Sequence, residues 1–134
     1  MLPDLLRRFL QMAKNKPEAL QAQAVDNMLF ALSSFRRLEP LASSEMKTAT
    51  AMMSECLGNM SQASAQRSLH SSALLGSQEQ SPEISSRLLQ CATVSPKEVS
   101  CNDLVRMLWS IAVLDIHCYD QDGVAKALGR IESV

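Results

Sequence analysis

The stretch from Leu104 to Leu114, LVRMLWSIAVL, is apolar around more of a helical circumference than one neighbour can cover. That limits what the chain can fold into. Leu104, Leu108 and Ile111 fall on one helical stripe, and Val105, Trp109 and Ala112 fall on the stripe beside it. A helix with so wide an apolar arc is expected to be covered from two sides, as the inner member of a layered helical array. Alanine and serine within the arc permit close approach of the neighbouring helices.

A fainter version of the same pattern stands 79 positions earlier. Leu29, Phe30, Ala31, Leu32, Ser33, Ser34 and Phe35 align with Leu108, Trp109, Ser110, Ile111, Ala112, Val113 and Leu114. Val25 falls on Leu104 and Met28 on Met107. The interval equals two units of about 38–40 residues, a length common among helix–turn–helix repeats. Because one hairpin cannot bury both of its own faces, stacked neighbours complete the core. The expected organisation is one domain over 1–134, with units near 1–42, 43–81 and 82–134, the middle unit degenerate.

Composition agrees with an all-α fold. Aromatic residues are 4% of the chain and methionines number 8, so the core is aliphatic and thioether-rich, which favours helices over strands. Helices are expected near 3–14, 17–37, 44–58, 62–75, 82–91, 96–116 and 121–132. Their starts are marked by Pro3, by Pro17, by Ser81-Pro82-Glu83 and by Ser95-Pro96-Lys97-Glu98. Ser95 and Glu98 have the spacing of a capping box. Gly58-Asn59 and Gly76-Ser77 read as stops, and 117–123 as a polar turn with an aspartate cap. The segment 59–81, rich in serine and glutamine, carries the weakest helical signal. Short connections favour antiparallel packing of consecutive helices.

The residues DLVRMLWSIAVLDIH and VDNMLFALSSFRRL resemble the L-[LW]-[WF]-[AS]-[LF]-[AS] signature of octotricopeptide and heptatricopeptide repeat proteins. These include organellar proteins that end in a RAP domain and their FAST-kinase-like relatives. The resemblance covers about 40 to 80 of the 134 residues. It implies a short α-solenoid of stacked antiparallel hairpins and association with RNA in mitochondria or plastids. The specific expectation is an architectural subunit of the mitochondrial ribosome, in the organellar matrix, that holds rRNA segments and neighbouring proteins.

Charge and motifs narrow the function classes. Thirteen basic and 14 acidic side chains give a net charge of −1, so any RNA contact must come from a local patch. Candidates for contact with RNA phosphates are Arg7, Arg8, Arg36, Arg37 and Arg106. Arg106 shares a polar stripe with Asn102, Ser110 and His117. Trp109 is expected in the core, and Met52, Met53 and Met60 in the core or a partner groove. No phosphate-binding loop, dinucleotide turn, nucleophile elbow or HExxH motif occurs, so no enzyme, cofactor or small-molecule substrate is expected. Cys91, Cys101, His117 and Cys118 follow the spacing C-x9-C-x15-H-C, which fits no compact zinc site, and the four cysteines are expected as buried free thiols. No apolar run reaches the length of a membrane span. The amphipathic start, MLPDLLRRFLQMAKN, reads as a first helix with some features of a mitochondrial presequence. The alternative to an RNA-associated subunit is a helical-repeat adaptor that binds only proteins, for which the neutral charge is the argument.

Overall fold

The computed structural model describes residues 43–75 and 81–133, together with positions 4, 8, 11, 12, 26, 27, 30, 31 and 33. The single positions before residue 43 are all helical. Six α-helices follow: α1 (Ser43–Cys56), α2 (Gln62–Leu75), α3 (Pro82–Ala92), α4 (Cys101–Val113), α5 (Ile116–Tyr119) and α6 (Gln121–Glu132). Two 3-10 turns, Leu57–Asn59 and Pro96–Glu98, join them, and no strand occurs among the described residues. The described residues are thus all-α. Arg7, Arg36, Arg37, most of the two N-terminal helices expected at 3–14 and 17–37, and the stop at Gly76-Ser77 lie outside the described residues.

The segment with the weakest helical signal turns out to be the centre. Helix α2 packs against both α3 and α4. Its inner face is Ser64, Ala65, Ser68, Leu69, Ser71, Ser72 and Ala73, all buried. Serine has low intrinsic helix propensity because its hydroxyl competes for backbone groups. Here the small side chains serve a different end: they let two helices close on α2, and packing rather than propensity holds it helical. Leu69 is the large side chain in this face and is fully buried. Around it the core gathers Met52 and Met53 of α1, Leu88 and Leu89 of α3, Met107 and Ile111 of α4, Ile116 of α5 and Ala127 of α6. Each fully buried leucine or methionine contributes about 1.5–3 kcal/mol of transfer free energy.

Helix ends follow the sequence in some places and depart from it in others. Ser61 caps α2, its hydroxyl accepting from the Ser64 N–H at 3.1 Å. Asp120 caps α6 as expected, accepting from the Gly123 N–H at 3.0 Å; a Cβ on Gly123 would collide with that carboxylate. At α3, Pro82 and Glu83 take their first-turn positions, but the Ser81 side chain makes no capping bond. The helix expected over 96–116 is divided. Pro96–Glu98 closes only a 3-10 turn, and Val99 and Ser100 are extended. The capping box forms one step later: Ser100 Oγ accepts from the Asp103 N–H at 3.1 Å, and the Ser100 N–H donates to the Asp103 carboxylate at 3.1 Å. Ser95 is committed elsewhere. Its N–H donates to Gln62 Oε1, and its carbonyl accepts from Gln62 Nε2 at 3.0 Å. One turn along α2, Gln66 Nε2 donates to the Ala92 carbonyl at 3.2 Å. Gln66 therefore satisfies a carbonyl at the end of α3, where a helix leaves acceptors without partners, and Gln62 holds the backbone of the connection that follows.

The C-terminal end of α4 is also short of its expected limit. Leu114 and Asp115 turn the chain, with Asp115 at φ 55°, and α5 starts at Ile116. Residues 117–119, expected in a turn, belong to α5. Its anchor is Ile116, fully buried. A polar link then joins α3 to α6: Gln90 Nε2 donates to the Gly123 carbonyl at 2.8 Å, and Arg130 Nη1 reaches Thr93 Oγ1 at 3.3 Å.

Candidate functional site: an open groove beside an apolar helix face

Helix α4 is apolar on both sides but covered on one. Its inward face is Met107, Ser110 and Ile111, with Leu104 and Leu114 half-buried. Its outward face carries Val105, Leu108, Trp109, Ala112 and Val113, at the i, i+3, i+4, i+7, i+8 spacing of a single helical surface. Val105 is 65% exposed, Leu108 45%, Trp109 43% and Val113 40%. Two sequence expectations are corrected here. Trp109 is not in the core, and among the described residues α4 is covered on one side only. The helix is rotated so that Met107, Ser110 and Ile111 are buried, and it packs against α2. The wide apolar arc is real, but half of it faces outward. Phe30, the aromatic of the first copy, is likewise exposed, at 58%.

The polar stripe expected on α4 does not form either. Ser110 is fully buried and its hydroxyl donates to the Arg106 carbonyl at 2.7 Å. Asn102 and Arg106 are exposed on the helix, and His117 is exposed on α5.

An open groove runs beside the outward face, between α2 and α4, with a volume of about 480 Å³. Helix α2 contributes Gln66, Arg67, His70 and Leu74, and α4 contributes Asp103 and Arg106; Phe30 and Glu98 also line it. Trp109 stands over one wall, its ring centroid 5.4 Å from that of His70 at an interplanar angle of 59°. The centroid separation of this tilted pair lies in the range that aromatic pairs favour. Of the two cations in the groove, Arg67 is already engaged. Its Nη2 lies 2.6 Å and its Nε 2.7 Å from Oδ2 of Asp26, a carboxylate that is fully buried. Arg106 is exposed, with Glu98 and Asp103 lining the same groove. Arg8 is exposed on a helical position of the N-terminal segment. Among the candidate phosphate contacts that are described, Arg8 and Arg106, only Arg106 borders this groove.

His70 is partly buried, and its Nδ1 is enclosed without a hydrogen-bond partner among the described residues. Burial, and secondarily the Arg106 charge, lower its pKa. The unfolded chain, with histidine near 6.5, therefore binds more protons than the folded chain between the depressed value and about 6.5. Stability from neutral His70 is complete above that upper limit. It is lost as pH falls through the window, and the loss stops below the folded value. The thermal midpoint is expected to fall between pH 7.5 and pH 5.5, and His70→Gln to flatten that fall. An equal fall in both proteins would remove His70 as its cause.

The remaining candidates fall in ordinary places. Met52 and Met53 are core, and Met60 is half-buried against it. All four cysteines are free, but only Cys56 is buried; Cys91 is intermediate, and Cys101 and Cys118 are exposed, which corrects the expectation of four buried thiols. Burial, aided by Glu55, pushes the Cys56 thiol pKa up, which keeps it protonated and inert. No helix among the described residues is long and apolar enough to cross a membrane.

Sequence reasoning missed the groove because its α2 wall lies in the segment with the weakest signal. The clue was available. Gln66, Arg67, His70 and Leu74 recur at helical spacing opposite the serine face, so they had to share the other side of α2. Comparison of the chain with family models, curated proteins and solved structures returned no match.

Proposed function

We propose that this chain is a non-enzymatic helical adaptor, and that the outward face of α4 with its adjoining groove docks an apolar helix of a protein partner. The carrying observation is that Val105, Leu108, Trp109, Ala112 and Val113 leave one whole surface of a helix apolar and open. Contiguous exposed apolar surface of this kind marks interaction sites. The spacing suits a helix better than an extended peptide, since a helix presents matching anchors at three- and four-residue intervals. Trp109 is the natural anchor, because tryptophans dominate binding energy where they insert into a partner. Arg106, Glu98 and Asp103 form a mixed-charge border that selects register rather than net charge. In this reading the chain is a short stack of hairpin units of about 38–40 residues, in which the next layer is supplied by the partner.

A second reading keeps the RNA-associated role: an architectural subunit of an organellar ribonucleoprotein, most specifically the mitochondrial ribosome. One observation favours it. Arg106 lines the groove walled by His70, beside which Trp109 lies tilted, and an arginine next to a partly open aromatic suits a phosphate and its base. The net charge of −1, the two carboxylates in the groove and the commitment of Arg67 to Asp26 favour the adaptor.

The deciding experiment is affinity capture from nuclease-treated extract, comparing the wild type with Trp109→Asp. Because Trp109 is only partly buried, against His70, the substitution is expected to cost about 1–3 kcal/mol, and a urea unfolding curve confirms that the variant is folded. The adaptor reading predicts protein partners that survive nuclease and are lost from Trp109→Asp. Partners released by nuclease, and released equally by charge reversal of Arg36, Arg37 and Arg106, would establish the RNA reading instead.

A further inference from the structure

We propose that the corner between α4 and α5 is a divalent transition-metal site built from Asp115, His117 and Cys118, of the class that takes Zn²⁺ or Co²⁺. The three side chains offer one carboxylate oxygen, one imidazole nitrogen and one sulfur, and these ligand atoms all lie within 4.8 Å of one another. A mixed oxygen, nitrogen and sulfur set suits a borderline-soft cation and discriminates against Ca²⁺ and Mg²⁺, which take oxygen ligands. Around zinc, with bonds of about 2.0–2.3 Å, ligand atoms sit roughly 3.5 Å apart. All three side chains are exposed, so rotation about their own torsions closes the remaining distance without moving the core.

The backbone holds these residues on one side of the corner. Asp115 has the left-handed conformation, at φ 55°, the one non-glycine with positive φ among the described residues. The Cys118 N–H donates to the Asp115 carbonyl at 2.9 Å and closes the turn. Between the ligands, Ile116 is fully buried and fixes the corner to the core. Its neighbours are thereby turned outward together. The site lies outside the groove, and none of its residues lines that cavity. It differs from the combination of Cys91, Cys101, His117 and Cys118 that sequence spacing argued against: Asp115 completes the set, and neither Cys91 nor Cys101 takes part. Binding replaces the Cys118 thiol proton by the metal and releases that proton to solvent, with no change in oxidation state. Three protein ligands leave a fourth position for water or for a partner's side chain.

The test is titration of the chelator-treated, reduced full chain with Co²⁺ alone. A thiolate-to-cobalt charge-transfer band in the near ultraviolet is expected to saturate at one equivalent and to be displaced by Zn²⁺, and Zn²⁺ is expected to raise the thermal midpoint by mass action. Cys118→Ser should abolish the band, whereas Cys101→Ser should retain it. His117→Asn and Asp115→Gly should each weaken Co²⁺ binding by about tenfold or more. Asp115→Gly is the decisive variant, because glycine accepts the left-handed conformation and leaves the metal-free fold intact. The proposal is overturned by the absence of a band at about 1 mM Co²⁺. It is equally overturned by a band that survives Cys118→Ser, a band lost in Cys101→Ser, or affinity unchanged in either Asp115→Gly or His117→Asn.

Discussion

Replacing Arg67 with methionine is expected to destabilise the protein by about 3 kcal/mol, measured by urea unfolding at neutral pH. The reason is the state in which it leaves Asp26. That carboxylate is fully buried, and its Oδ1 has no partner among the described residues, so the Arg67 guanidinium supplies its compensation through Oδ2. Removal of one member of a buried pair leaves an uncompensated charge, which costs about 3–5 kcal/mol. Because Arg67 itself is about half exposed, with 48% of its side-chain surface accessible, the lower end of that range applies. The companion variant Arg67→Met/Asp26→Leu should recover most of the loss, since an apolar pair of similar volume replaces the ion pair. A single variant within about 0.5 kcal/mol of wild type would mean that residue 26 does not dock on α2 in solution.

The second large effect concerns the centre of the helical array. Leu69→Ala is expected to cost about 3 kcal/mol, within the 2–5 kcal/mol typical of buried leucine truncation. Leu69 is fully buried where α2 meets α3 and α4, so its loss opens a cavity that three helices would have to collapse into. Leu108→Ala on α4 is the matched control. Leu108 is 45% exposed, and its truncation should cost less than about 1 kcal/mol. Similar losses at both positions would mean that α4 is rotated from the orientation described, with Leu108 inside. Unfolding midpoints in urea for the two variants settle the point.

Particular residues show what was legible in the sequence. The wide apolar arc over Leu104–Leu114 announced a helix with more apolar surface than one contact consumes, and this is what the fold contains. The arc alone says nothing about which half turns inward. In the fold Met107, Ser110 and Ile111 turn inward, and Trp109 does not. Helix limits were readable where a cap had one candidate, as with Asp120. They were misread where two serines competed: Ser95 with Glu98 has the right spacing, but Gln62 binds the Ser95 backbone from another helix, and Ser100 with Asp103 takes the box. A bond from 33 residues away has no local signature. The same holds for the groove, which needs α2 and α4 side by side, and for the pairing of Asp26 with Arg67, 41 positions apart. Helix α2 was legible at its observed bounds, 62–75, though with the weakest signal, because serine looks like a loop former until small size, not hydrogen bonding, becomes what the packing requires.

The central claim is that the outward face of α4 is covered by a protein when the chain is at work. A photo-crosslinking residue placed at Val105, and separately at Val113, tests this directly, with Lys126 on the exposed side of α6 as the control position. After irradiation in extract and nuclease treatment, positions 105 and 113 should yield the same protein adduct and position 126 none. Adducts to RNA at 105 and 113, or an indistinguishable set of adducts at all three positions, would contradict the account.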